Sequence, residues 1–535
     1  MMRAHGYRGA LPPARFNMAA YCIGRPAASL PGKPALLVIE DGLKPPAEVW
    51  TYEALEDAVL RIAAALKAEG LPHGARIMIR LDNTSAYALL FFGAIAAGCV
   101  PLPASSQLTD LEAHFLLEDS GAAAVAVAEQ LGIGAIPAGV RAFDTGRVKR
   151  MVHHHERASY ADTVADDPAF LVYTSGTTAR PKGVLHAHRS AWGRRPMYDG
   201  WYGISAADRV LHAGAFNWTY TLGTGLTDPW ANGATAIVYT GPKDPSLWPR
   251  LIASTGATIF AGVPSLYRRI LKYGRPERGS LGVLRHGLIA GETPSPGLFE
   301  QWTERTGTEL YEALGMSEIS TYISSSTTVP RKPGAIGKPQ PGRSVVVLPV
   351  GGGTEPAPCG SEGLLAVHRS DPGLMLGYWN RPKEEAEAFR GNWFIGGDLA
   401  SMDADDYVTH YGRADDLMNA LGYRVSPLEV ESVLAQHPAV SEVACAEVRV
   451  RQDVTVIGAF VVTKEGAPHD AEAIRGFAAE RLAAYKCPRE IVFLDALPRT
   501  ANGKVQRAEL KARFGRSGEA GSAQLTTAAF IDSSS

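Results

Sequence analysis

The sequence predicts an α/β fold that carries a β-barrel-like region and ends in a small α+β unit. Three observations lead there. Strand-like and helix-like segments alternate from about Lys33 to Pro339. Beyond about Gly342 short strands separated by Gly, Pro and Asp clusters take over. A fresh helix–strand–helix unit begins near Asp415. The 535 residues exceed what a single core serves. We therefore expect a large N-terminal domain over 1–414, built of parallel α/β layers with a β-rich part from about 342. A small C-terminal domain over 415–514 and a disordered tail over 515–535 complete the division.

The elements follow in order. Thr51 to Ala68 reads as an amphipathic helix with Leu55, Val59, Ile62, Ala63 and Leu66 on one face. Arg76–Arg80 is a strand, followed by an apolar helix from Ser85. That run, Ala86 to Val100, is short for a bilayer, holds glycine and ends at Pro101, so it predicts a buried helix. Ala169–Tyr173 is a short apolar strand entering a polar loop. Helices and strands continue through Leu222–Trp230, Ala234–Tyr239, Pro264–Leu271, Leu284–Ala290 and Pro296–Thr306. Short strands at Val345–Leu348, Gly363–His368, Trp393–Ile395 and Tyr407–His410 make the β-rich part. The last unit carries helices at Pro427–Gln436 and Ala471–Leu482 around strands at Val443–Val448 and Thr455–Val462. No internal repeat is visible.

A formal net charge of −2 gives no electrostatic case for nucleic acid or an anionic membrane. Five scattered cysteines, Cys22, Cys99, Cys359, Cys445 and Cys487, form no CxxC. They read as reduced thiols in a cytoplasmic compartment. The opening residues show no signal-peptide pattern. His153, His154 and His155 cannot easily converge on one tetrahedral ion, so that run predicts an exposed loop. His186 and His188 are expected at a helix start.

The most informative stretch runs from Tyr173 to Val184. A buried strand enters a loop holding Thr174, Ser175, Gly176, Thr177, Thr178, Ala179, Arg180, Pro181, Lys182 and Gly183. Glycines let backbone N–H groups approach an anion, hydroxyls donate to phosphate oxygens, and a lysine adds a point charge. The loop reads as a polyphosphate cradle. It is not the common P-loop: Pro181 stands where that motif has its second glycine, and Gly183 replaces the magnesium-binding Ser/Thr.

This loop resembles that of the adenylate-forming superfamily, which includes acyl- and aryl-CoA synthetases, carrier-loading adenylation domains and firefly-type luciferases. Benzoate-CoA ligase-like members are the nearest in feel. Ala179 stands where glycine is usual. Further segments match in family order over nearly the whole chain. Gly291-Glu292-Thr293 resembles the adenine-side segment. Gly315-Met316-Ser317-Glu318 resembles the element whose glutamate helps hold Mg²⁺, with Leu314 where many members have tyrosine. Gly397-Asp398 resembles the ribose-binding aspartate. Gly412-Arg413-Ala414-Asp415-Asp416 resembles the hinge, followed by Gly422-Tyr423-Arg424. Pro498 to Lys504 resembles the C-terminal segment with the catalytic lysine.

The resemblance implies an AMP-forming acid:CoA ligase using ATP, Mg²⁺ and coenzyme A. The carboxylate attacks the α-phosphate, giving acyl-AMP and pyrophosphate, and a thiol then takes the acyl group. Lys504 and Glu318 would be catalytic, with Glu318 on the metal. Thr174, Ser175, Gly176, Thr177, Thr178, Lys182, Gly291, Glu292, Thr293, Ser317, Asp398 and Arg413 would bind the nucleotide. The small domain would swing about Asp415, and Gly422, Tyr423 and Arg424 would face the CoA tunnel. Trp218 would gate the acid site, and Thr219, Tyr220, Gly315, Thr321 and Tyr322 would line it, with core packing an equal reading for Trp218 and Tyr220. Such a pocket suits an aryl or cyclic acid, although Asn419 stands where benzoate-type ligases often carry lysine. A short- or medium-chain acid, a carrier-protein acceptor, a luciferase-like oxidation and a non-catalytic nucleotide sensor are the alternatives. A monomer or homodimer without a membrane span is expected.

Overall fold

The computed structural model describes residues 6–42, 44–174, 181–294, 297–414, 418–420, 423–451, 454–482, 484–499 and 505–519. Its contacts cluster into two compact units, one ending at His410 and the other beginning at Tyr411.

The first unit is organised by a nine-stranded sheet. Its order is Lys338–Pro339, Ser320–Ser324, Glu309–Met316, His286–Ala290, Ile259–Gly262, Arg209–His212, Thr235–Tyr239, Pro34–Ile39 and Glu48–Thr51. The interior pairs are parallel and the flanking ones antiparallel. Strands such as Thr235–Tyr239 and His286–Ala290 are buried along their whole length, as a sheet covered on both faces requires. A four-stranded parallel sheet, Val100–Pro103, Arg76–Arg80, Ala124–Val127 and Arg141–Phe143, forms a second α/β layer.

Helices seat these layers where the apolar pattern placed them. Tyr52–Ala68 starts at Thr51, whose Oγ1 accepts from the Ala54 N–H at 3.2 Å. Leu55, Val59, Ile62, Ala63 and Leu66 are all fully buried on it. Ser85–Ala96 is apolar all round, and every one of its 12 residues is buried. Its Gly93 lies against Ile62, where an added Cβ would come within 2.5 Å. No helix among the described residues is long and apolar enough to cross a membrane.

The β-rich part is an antiparallel sheet of Val345–Leu348, Gly363–His368, Trp393–Met402 and Phe389–Arg390, with a further strand from Val408 pairing to Trp393–Met402. Trp393–Met402 runs well past the Ile395 end expected for it, because beyond an irregularity Leu399 and Ala400 pair with Leu364 and Gly363. A three-stranded antiparallel sheet, Gly377–Tyr378, Lys182–Ala187 and Pro168–Thr174, holds the polar loop. His186 therefore lies in a strand and not at a helix start, since its stretch pairs on both edges. His188 opens a short 3₁₀ turn, and its buried Nδ1 accepts from the Met18 N–H at 3.0 Å. His153 and His155 are exposed in a loop, and no metal-sized cluster of His, Cys, Asp and Glu occurs among the described residues.

The second unit has its own core around Met418, Val430, Cys445, Ile457 and Ile474. Strands Val440–Arg451 and Val454–Thr463 are antiparallel, and Glu490–Phe493 joins in parallel. Helices Pro427–Leu434, Ala471–Ala479 and Arg507–Glu519 pack with them. The last helix reaches Glu519, beyond the expected end near Phe514. The Arg513–Glu509 pair, four residues apart at 2.6 Å, supports the turn before that point.

Candidate active site

In an open parallel sheet, ligands bind beyond the carboxyl ends of the strands. Three loops converge at that edge. The first is the mouth of the Pro168–Thr174/Lys182–Ala187 hairpin, where Thr174 and Lys182 face each other as Cα partners. Its root is anchored: the Tyr173 hydroxyl donates to Asp119 Oδ2 at 2.6 Å, and Arg381 binds the other oxygen at 2.8 Å. Ser175, Gly176, Thr177 and Thr178 lie outside the described residues.

The second loop is the tip of the Glu309–Met316/Ser320–Ser324 hairpin, which presents Ser317 and Glu318. Gly315 makes this tip possible. It opposes Thr321 so closely that a Cβ would lie 2.6 Å from the Ser320 carbonyl oxygen. Ser320 closes the turn at φ 72°, a left-handed conformation costly for a residue with a Cβ. Two bonds pin the tip: the Met375 N–H donates to the Glu318 carbonyl, and His186 Nε2 lies 2.8 Å from the Ser317 carbonyl oxygen.

Tyr378 joins the two loops. Its hydroxyl donates to Glu318 Oε1 at 2.7 Å, and Lys182 Nζ sits 5.0 Å from its ring centroid. A cation, an aromatic face and an aimed carboxylate thus form one chain. Sequence reasoning missed Tyr378, whose only signal is the aromatic pair Tyr378-Trp379 in a Gly- and Pro-rich stretch.

The third loop follows His286–Ala290, with Gly291 at φ 90°. Glu292 is already engaged: its carboxylate accepts from the N–H and hydroxyl of Ser265, both at 3.0 Å, and so holds the start of helix Pro264–Arg269. On the neighbouring strand, Glu312 stands beside Ile289, and burial pushes its carboxyl up to about 8. Glu312 was not anticipated. Asp398 is buried and lies 3.1 Å from His410 Nε2. Adjacent Gly396 packs on Met316, where a Cβ would meet the sulfur at 2.5 Å, which brings this strand to the root of the Ser317–Glu318 tip.

The expected acid-site residues divide. Trp218 is half-buried and precedes the short helix Thr219–Leu222. Tyr220 stacks on Trp201 at 5.9 Å and meets His212 edge-on at 4.5 Å. Its hydroxyl donates towards the Leu288 and Gly262 carbonyls at 3.3 and 3.4 Å, over the strand ends. Thr219 lines a cavity of about 440 Å³, counting its open mouth, together with Ser317, Ser320, His186 and Arg194. Gly315 and Thr321 belong to the hairpin backbone. Tyr322 is fully buried with Val184, Ile319 and Val345, and does not line that cavity. Alternation along a strand sends it to the face opposite Thr321.

In the second unit, Arg413 ends the strand Val408–Arg413. Tyr423 and Arg424 lie on a strand paired with Met418–Ala420, Arg424 opposite Asn419. Asp415, Gly422 and Lys504 lie outside the described residues.

Known proteins resemble this chain in sequence and fold. A family model described as AMP-binding enzyme matches residues 24–379, and one described as AMP-binding enzyme C-terminal domain matches 429–504. The chain is 30% identical to a 3-hydroxybenzoate–CoA ligase of Aromatoleum sp. (strain CIB), over 86% of this chain and 91% of that protein. It is 31% identical to a benzoate–CoA ligase of Thauera aromatica, over 93% and 96%. A crystal structure of a benzoate CoA ligase from Burkholderia xenovorans LB400 superposes with a TM-score of 0.83 at 31% identity, covering 93% of this chain and all of that one. Matched by both family models and by CoA ligases over most of its length, the chain belongs to the AMP-binding enzyme family and is an adenylate-forming acid–CoA ligase.

Proposed function

We propose that this enzyme activates an aryl or cyclic carboxylic acid as its acyl-adenylate and transfers the acyl group to coenzyme A. One observation carries the reading: the half-buried Glu318 carboxylate, held at a hairpin tip and aimed by the hydroxyl of Tyr378, over whose ring Lys182 lies. Adenylation brings two anions together, and fixed positive charge and bound cations offset that repulsion. Thr174 and Lys182 serve the terminal phosphates, with Ser175, Gly176, Thr177 and Thr178 in the same loop. Asp398 serves the ribose, Gly291 to Thr293 the adenine side, and Arg413 the nucleotide.

Glu318 suits Mg²⁺. It is a hard oxygen donor oriented by a neighbouring hydroxyl, and Mg²⁺ takes one or two carboxylates and fills its shell with phosphate and water. The ion would neutralise charge on the phosphates. Lys504 supplies the cation for the acid and the α-phosphate, and Asp415, Gly422, Tyr423 and Arg424 serve the thioester half-reaction.

The stacked Tyr220–Trp201 rings just behind Thr219 and the benzoate-type relatives support a ring acid. A CoA-dependent AMP-release screen over aromatic, cyclic and short- to medium-chain acids tests this. Ring acids should give the highest kcat/KM. A preference for straight chains would replace the ring acid by the aliphatic alternative, and turnover only with a carrier protein would replace CoA.

A further inference from the structure

The cavity beside the Ser317–Glu318 tip has polar chemistry at its inner end that the reaction itself does not use. Its half-exposed lining, Thr219, Ser317 and Ser320, forms the mouth, and its buried lining includes His186 and Arg194.

The state of His186 follows from its neighbours. Nε2 lies 2.8 Å from a carbonyl oxygen, that of Ser317, which can only accept, so Nε2 carries the hydrogen. Burial and the stacked Phe170 ring, 4.6 Å away, keep the imidazole neutral. Nδ1 is then a bare acceptor, buried and without a partner among the described residues.

Arg194 provides the complement. Its Nε and Nη2 donate to the two oxygens of Asp228 at 2.8 and 2.6 Å. One hydrogen of Nη1 goes to the Ser320 hydroxyl. The second Nη1 hydrogen has no acceptor among the described residues. Because Asp228 is fully buried against it, the guanidinium brings no net charge to the cavity. A second carboxylate on the substrate would find no uncompensated cation there. Of the neutral groups, a hydroxyl is the one that can both accept from a donor such as Arg194 and donate to an acceptor such as His186 in this lining. An amino group satisfies only His186, and a methyl or halogen satisfies neither.

We propose that Arg194 and His186 form a subsite that reads a hydroxyl group, so that the acid this enzyme prefers is a hydroxylated ring acid. This rests on the acid–CoA ligase reading above. A site built to bond a hydroxyl discriminates strongly against the analogue lacking it, since its own buried groups are left unpaired.

The test is pyrophosphate release by the full chain with matched acids: an unsubstituted ring acid, its hydroxyl isomers, and the amino and methyl analogues. At least one hydroxyl isomer should exceed the parent in kcat/KM by on the order of a hundredfold, with amino intermediate and methyl no better than the parent. In Arg194→Lys, which keeps a cation opposite Asp228 but loses the planar donors, that advantage should shrink by about tenfold or more. Equal kcat/KM for hydroxylated and parent acids in the unmodified enzyme would overturn the proposal, whatever the variant's folding, and would mean that the cavity holds only water. An undiminished hydroxyl preference in a folded Arg194→Lys enzyme would also overturn it. If no acid in the panel drives pyrophosphate release, the ligase reading falls first and takes the subsite with it.

Discussion

Tyr378 shows how a single hydroxyl can govern a site. Glu318 accepts from it, and Lys182 lies over its ring. If Glu318 holds Mg²⁺ as proposed, removing such an outer partner costs about 10-fold or more in metal affinity. Tyr378→Phe should therefore raise the Mg²⁺ concentration for half-maximal pyrophosphate release by that factor, and an unchanged Mg²⁺ titration would dismiss the link. Glu312 makes a second residue-level claim. Burial lifts its carboxyl from an ordinary 4.5 to about 8, so the folded chain holds a proton that the unfolded chain has lost. Its contribution to stability is complete below about 4.5 and fades as pH rises through about 8. Thermal melts should fall between pH 6 and 9, and Glu312→Gln should flatten that fall. An identical slope in the variant would show that other groups set it. Neither residue was legible. Glu318 announces itself by its neighbours in the chain, but Tyr378 lies 60 residues away and reaches it only through sheet register.

At the scale of elements, local pattern explains much of what was legible. The helices Tyr52–Ala68 and Ser85–Ala96 follow from apolar spacing and bulk hydrophobicity, both of which the chain carries locally. The misreadings come from pairing. His186 joined a strand because its segment pairs with Pro168–Thr174 on one edge and Gly377–Tyr378 on the other, and Tyr322 entered the core because strand alternation separates it from Thr321. The Ser317–Glu318 hairpin gives an element-level prediction through its glycine. At Gly315 a Cβ meets backbone that cannot yield, whereas at Gly396 it meets the flexible end of Met316. Gly315→Ala should lower kcat/KM for adenylation by more than tenfold, and Gly396→Ala by only a few-fold. Steady-state kinetics with melting controls decide, and equal losses would refute the account of the tip.

At the scale of the whole molecule, the chain forms two units that divide between His410 and Tyr411, each with its own core. On the proposed roles the two half-reactions draw on different residues, so variants should separate them. Lys504→Ala should lose on the order of a hundredfold or more in adenylation yet still convert a supplied acyl-adenylate to thioester. Asp415→Pro should keep pyrophosphate exchange while thioester formation falls. Single-turnover assays of each step will show it, and equal losses in both steps would remove the assigned roles. These residues were proposed from motif order, since short segments carry the family resemblance, whereas the cavity lined by Arg194 and His186 is assembled across sheet and helix and leaves no such trace.

The place of Pro34–Ile39 in the large sheet bears on the birth of the chain. Its parallel neighbour, Thr235–Tyr239, lies 201 residues further on, as the bond from Thr235 to Pro34 records. At ribosomal speeds of about 5–20 residues per second, that early ribbon waits roughly 10–40 s for its companion. Until then one greasy edge stays open to other nascent chains, so cellular yield should respond to holdase supply and to growth temperature.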